Sequence, residues 1–279
     1  MGKKTNESAT GQGLADYIWA SPSPFHCVAE STSILDAVGF TRVDEKEGPT
    51  PVQPGEASYI VRGASLIAWR TGTGPLPQHG FHIIGAHTDS PNLRLKPTAE
   101  SGKEKWRQLA VEPYGGLILA TWLDRDLGLS GKVVVRSKGG LEARLFRTNQ
   151  PIARIPSLAI HLNRTVNTEG LKLNAQNHIN PVVGLGEWST KDEPKGFNRW
   201  LAEQMDVEEV VTWELGLHDV QPPCVGGLDN EFVFAPRLDN LGSCYPAVIA
   251  LANAQTTQAT QVVALFDHEE CGSQSYRGA

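Results

Sequence analysis

The chain has 279 residues, 40% of them hydrophobic and 20% charged, with a formal net charge of −6. That length builds one large domain or two modest ones, and the acidic balance without any long Lys/Arg run argues against nucleic acid or an anionic membrane as the main partner. No stretch of about 18 apolar residues is present to span a bilayer, the polar start MGKKTNESATGQG does not read as a secretory signal, and the scattered Cys27, Cys224, Cys244 and Cys271 suit reduced thiols in a cytoplasm.

SPSPFHCVAESTSILDAVGF (21–40) is predicted to form a helix, with Ser23 as N-cap and Pro24 in the first helical position. Val28, Ile34, Leu35 and Val38 supply its apolar stripe, and Gly39 suits the left-handed position past its end. SYIVRGASLIAWR (58–70) reads as two strands joined by a short turn at Gly63, followed by the Gly/Pro-rich loop TGTGPLPQHG. FHIIGAH (81–87) is expected as a short buried strand ending in polar residues. From about residue 92 to 234 the texture is mainly β. GKVVVRS (131–137) and ARLFRT (143–148) flank a Gly-Gly turn, IPSLAIHL (155–162) is a further strand candidate, and TWELGLHDV (212–220) alternates through Trp213, Leu215 and Leu217. One helix is predicted there, FNRWLAEQM, with Phe197, Trp200, Leu201 and Met205 on one face. Past residue 235 the α/β pattern resumes, with LGSCYPAVIALANA (241–254) as a helix bent at Pro246 and QVVALFD (261–267) as a parallel strand. The expected organisation is an α/β domain interrupted by a β-rich insertion.

Three polar clusters stand at the ends of apolar segments, where open α/β sheets build sites beyond the carboxyl ends of their strands. In GAHTDSP (85–91), His87 and Asp89 are two apart and face the same side of an extended chain. Asp89 can therefore fix the His87 ring, as a metal-binding imidazole requires; taken alone, the segment fits better a capped strand end followed by a Ser-Pro turn. In APRLDNLGS (235–243), Asp239 and Asn240 fit an N-cap, or, for Asp239, a carboxylate bridging two metal ions. In EECGS (269–273), the adjacent Glu269 and Glu270 reach one site only if the chain turns, which Cys271-Gly272-Ser273 allows. One acid then binds metal while the other takes a proton from activated water; a solvated acidic turn is the plain alternative, and His268 reads as structural. Imidazole and carboxylates together suit zinc with one position left open. No zinc-finger spacing, P-loop, G-x-S-x-G or G-x-G-x-x-G competes.

SPSPFH, GAHTDSP, TWLDRDLGLSGKV, IPSLAIHLNR, APRLDNL and EECGSQS occur in this order along the chain. In order and approximate spacing they resemble the motifs of the aspartyl aminopeptidases, cytosolic zinc-dependent exopeptidases, over almost the whole length. The resemblance implies a zinc-peptidase-like α/β sheet with flanking helices, its catalytic domain at 1–92 and 235–279, and a β-rich insertion at 93–234 used in oligomerisation. It implies two zinc ions per subunit, with His87 on one, Asp239 bridging both and Glu270 on the other. Glu269 becomes the general base and Asp89 the residue that orients His87. His161, in the AIHL motif, matches a histidine that reaches a neighbouring subunit's site; a strand histidine packed at a domain surface is its alternative. The implied partners are peptides with N-terminal Asp or Glu and copies of the chain in a dodecamer built from dimers. Members of that family run well beyond residue 279, with a further Asp ligand, a further His ligand and most of the groups that read the acidic side chain in the later part. By this resemblance the chain is an N-terminal portion, weakly active or inactive alone. A non-catalytic assembly module, and a related two-zinc peptidase or deacylase with another preference, are the rival expectations.

Overall fold

The computed structural model describes residues 2–47, 52–188 and 196–278. Among them the chain runs through α1 (Gly2–Ala20), α2 (Pro24–Ala37), β1 (Thr41–Arg42), β2 (Ala57–Arg62), β3 (Ser65–Arg70), α3 (Leu76–His79) and β4 (Phe81–His87). There follow β5 (Asn92–Lys103), β6 (Trp106–Tyr114), β7 (Leu127–Ser137), β8 (Gly140–Arg147), α4 (Val166–Glu169), β9 (Val182–Leu185), α5 (Phe197–Met205) and β10 (Glu209–Asp219). The last elements are β11 (Cys224–Gly226), β12 (Phe232–Phe234), α6 (Leu238–Asn253) and β13 (Thr260–Phe266). The chain forms two compact units, Met1–Ser90 with Pro222–Ala279, and Pro91–Gln221. Residues 222–234, with the β11–β12 hairpin, group with the first unit.

The first unit is built on a mixed sheet in the order β1-β2-β3-β13-β4. β13 lies antiparallel to β3 and parallel to β4, so a strand from late in the sequence is inserted beside two early ones. The β2–β3 turn has Gly63 at φ 62°, a conformation that glycine adopts without a side-chain penalty. α2 starts as its sequence dictates: Ser23 is the N-cap, its side chain accepts from the His26 N–H, and Pro24 follows. Gly39, at φ 87°, turns the chain just past the end of α2. Ile18, Leu35, Leu66, Leu241, Val248 and Leu265 make the core between sheet and helices. Each such side chain contributes roughly 1.5–3 kcal/mol by leaving water.

Three expectations need correction. β4 forms over 81–87, but it is not buried: Phe81, Ile83 and Ile84 are exposed, because β4 is the last strand in the sheet order and pairs only with β13 among the described residues. The helix after residue 238 departs from helical angles at Asp239 and Asn240, not at Pro246. Burial of Leu241, Cys244, Ala247, Val248 and Leu251 holds it straight past the proline's missing N–H. Residues 155–162 form no strand; they end in a 3₁₀ turn at Ile160–Leu162. Pro156 has no N–H for a ladder, and Leu158, Ile160 and Leu162 face outward. α1 carries no strong apolar periodicity and was not predicted as a helix.

The second unit is a six-stranded antiparallel sheet in the order β8-β7-β10-β5-β6-β9. β7 and β10 send Leu129, Val133, Val135, Leu215 and Leu217 inward. α5 closes this core with Phe197 and Leu201, and the Phe197 ring contacts Trp188, Trp200 and Trp213.

A candidate metal centre at the ends of two parallel strands

β4 and β13 run parallel and in register, Phe266 opposite His87, so their carboxyl ends emerge together. His87 is the last residue of β4, and Glu269 and Glu270 stand in the turn that follows β13. The third contributor, Asp239, sits where the backbone bends into α6, and the Asp239–Asn240 peptide is cis. Ser90 Oγ donates to the Asp239 carbonyl at 2.7 Å, and Cys244 Sγ donates to the His87 carbonyl at 3.0 Å. These two contacts tie the end of β4 to the start and the second turn of α6.

Asp89 organises the centre from beneath. It is fully buried, and it accepts the Glu269 N–H on Oδ1 at 3.3 Å and the Glu270 N–H on Oδ2 at 3.1 Å. Its Oδ1 also lies 3.3 Å from His87 Nδ1, and its carbonyl lies 3.0 Å from the same nitrogen. With Nδ1 engaged as the donor, His87 Nε2 points at the acids, 3.2 Å from Asp239 Oδ1 and 3.9 Å from Glu269 Oε2. One ligand atom each from His87, Asp239 and Glu270 falls within 4.8 Å of the others. His87 is mostly buried, while the Asp239 and Glu269 side chains are open to solvent at 80% and 51% exposure.

The electrostatics follow from this crowding. Burial alone pulls the His87 imidazolium pKa down, but the Asp89 side chain, its carbonyl and the Glu269 charge outweigh burial and raise it to about 9. Glu270 is raised above the usual carboxylate range by burial first, then by the Asp239, Asp89 and Glu269 charges, with His87 opposing. Four carboxylates around one imidazole form a setting that a bound dication relieves. The donors fit zinc: one imidazole nitrogen whose partner nitrogen is tied down, plus two carboxylates.

His268 stands apart from this chemistry. Its Nδ1 is 2.7 Å from Ser275 Oγ and its Nε2 is 2.9 Å from an Arg277 guanidinium nitrogen, so it fastens the turn after β13. His161 lies in the second unit, exposed on the 3₁₀ turn Ile160–Leu162, and is not part of the cluster. Ser90 and Cys244 were not singled out by sequence reasoning. Ser90 lies within GAHTDSP, and that position was the only available signal.

The family described as aminopeptidase I zinc metalloprotease (M18) matches residues 17–279. A probable M18 family aminopeptidase 2 of Streptomyces coelicolor is 43% identical over 272 residues, covering 95% of this chain and 61% of that protein. The structure of Chaetomium thermophilum mApe1 superimposes with a TM-score of 0.86 at 32% identity, covering 98% of this chain and 65% of that one. The S. cerevisiae mApe1 dodecamer does so with a TM-score of 0.80 at 28% identity, covering 98% and 64%. The chain thus spans about three-fifths of the length of the curated relatives it matches. With its strand ends, its clustered donors and this match in view, the chain belongs to the M18 family of zinc metalloproteases.

Proposed function

We propose that the protein acts as an aminopeptidase that releases N-terminal Asp and Glu from peptides, as a subunit of a homo-oligomer in the cytoplasm. His87, through Nε2, and the Asp239 and Glu270 carboxylates would hold the zinc. When bound, zinc polarises the peptide carbonyl and brings a water's pKa down to about 7. Asp89 keeps one proton on His87 Nδ1, so Nε2 is the nitrogen that gives up its proton to offer a lone pair, and Asp89 fixes the Glu269–Glu270 turn through both amides. Glu269, the acid with an open carboxylate, takes the proton of the attacking water at its Oε2 edge and returns it to the leaving amine. The observation that carries this reading is the convergence of His87, Asp239 and Glu270 within 4.8 Å, with Glu269 at the rim. The dodecameric S. cerevisiae relative supports the assembly, and His161 on its exposed turn is the residue offered to a neighbouring subunit.

Zinc analysis is the first test. Zinc retained through dialysis by the whole protein, and lost in its His87→Ala and Glu270→Ala variants, supports the reading; a whole protein that holds none refutes it and leaves an assembly role. Turnover is the second. In the whole protein, Glu269→Gln should reduce hydrolysis of an aspartyl peptide by roughly 10²–10⁴ at unchanged zinc content, and equal activity removes Glu269 from the role of base; this chain alone should hydrolyse it weakly or not at all. A panel of peptides with N-terminal Asp, Glu, Ala and Leu tests the acidic preference.

A further inference from the structure

The second unit contains a separate cavity of about 160 Å³ beside α5, walled by Trp188 and Trp200 and closed on its polar side by Arg107. The walls are fixed. Trp188 Nε1 donates to the Ser101 and Gln108 carbonyls at 2.7 and 3.1 Å, and Trp200 stacks on Phe197 at 5.7 Å and meets Phe146 edge-on at 6.1 Å. The Arg107 guanidinium lies beside them. It lies 5.7 Å from the Trp188 ring centroid, and a Cβ on Gly184 would come within 2.6 Å of its terminal nitrogen. An alanine at position 184 would therefore move the end of the Arg107 side chain. At the rim, Arg199 is neutralised by Glu203 at 3.1 Å. Arg107 has no such acid: among the described residues it pairs with no carboxylate, and its Nε, hidden from solvent, has no acceptor.

Size and charge together define a ligand class. An apolar cavity of about 150 Å³ holds a benzene ring, so this one admits a single six-membered ring and little more. A planar guanidinium matches a carboxylate through parallel N–H donors. We propose that this cavity binds a compact aromatic carboxylate, its ring against the two indoles and its carboxylate on Arg107. The carboxylate belongs either to a free acid or to the C-terminal aromatic residue of a peptide. Nothing in this assignment depends on the zinc centre.

The test is an NMR titration of the full chain, following the indole N–H signals of Trp188 and Trp200, identified with Trp188→Phe and Trp200→Phe. Phenylacetate should shift both signals saturably, with a Kd on the order of 1 mM for so small a ligand. Acetate, which lacks the ring, and benzylamine, which reverses the charge, should bind at least roughly tenfold more weakly. Arg107→Met should weaken phenylacetate by roughly 10- to 100-fold, and Gly184→Ala, which displaces the guanidinium, should weaken it in the same direction. If Arg107→Met loses its dispersed spectrum, Gly184→Ala and the wild-type ligand series decide. Gly-Gly-Phe binding more tightly than phenylacetate assigns the site to peptide C-termini, and weaker binding assigns it to free acids. No saturable shift with phenylacetate, equal binding of benzylamine, or unchanged affinity in Gly184→Ala overturns the proposal.

Discussion

Replacing Asp89 with Asn tests whether one buried carboxylate organises the metal centre. Asp89 uses both oxygens: Oδ1 serves His87 Nδ1 and the Glu269 amide, and Oδ2 serves the Glu270 amide. An asparagine keeps one acceptor. With its oxygen toward His87, its NH₂ faces the Glu270 N–H, donor against donor; flipped, it loses the other two contacts. The better choice still forfeits one charge-assisted bond, about 1.5–3 kcal/mol. Loss of such a supporting partner typically lowers metal affinity by about 10- to 100-fold. A second effect opposes the first. In the wild type, zinc must displace a proton from His87, whose pKa is about 9, and its apparent affinity should rise nearly tenfold per pH unit between 7 and 9. Without the Asp89 charge the imidazole returns toward its ordinary range of about 6.5, and little proton remains to displace at pH 7. Zinc affinity, measured by competition with a chromophoric chelator, should therefore be about 10- to 100-fold weaker in Asp89→Asn at pH 9. At pH 7, where proton competition costs the wild type about 100-fold, the variant should range from equal to about tenfold tighter. A gap of the same size at both pH values would refute the claim that Asp89 holds the proton on His87. No gap at pH 9 would refute its role as a support.

The same pairing makes the zinc-free fold pH-sensitive. The His87 pKa is raised in the folded state, so its contribution is complete below about pH 6.5 and is lost as pH rises through about 9. The Tm in excess chelator should fall across that window, and a flat Tm would sink this assignment. Phe197→Ala empties the centre of the aromatic cluster in the second unit, and chemical denaturation should show a loss of about 3–5 kcal/mol. Ser23→Ala removes the cap of α2 and should cost about 1 kcal/mol by the same measurement; a change near zero would mean that water replaces the cap.

Local chemistry was legible in the sequence wherever neighbours along the chain decide the outcome. The Ser23-Pro24 start and Gly39 stop of α2, the Gly63 turn and the alternation around Trp213 all act within a few residues, and each appears where its pattern predicts. Burial was less legible. VVALF and FHII are similar apolar runs, yet Val263 and Leu265 are buried while Ile83 and Ile84 are exposed, because sheet order rather than composition places one inside and the other at the edge. Leu158, Ile160 and Leu162 misled in the same way, as their apolar character does not reveal which face, if any, covers them. At the site, the residue types and the His87-to-Asp89 spacing were readable. The bonds from Asp89 to the Glu269 and Glu270 amides were not, since they join residues about 180 positions apart. Neither was the Cys244 thiol on the His87 carbonyl, which only the packing of α6 brings into reach.

The wide separation of these partners has a consequence for how the molecule is made. Ser90 and Asp239 are 149 residues apart, and the unit Pro91–Gln221 lies wholly between them in the chain. A ribosome therefore delivers that contiguous stretch before β13 exists, and domains generally fold as they emerge. β4 must wait, unpaired, until its neighbour is synthesised. A metal held by His87, Asp239 and Glu270 can accordingly be captured only after β13 and the turn behind it have been made.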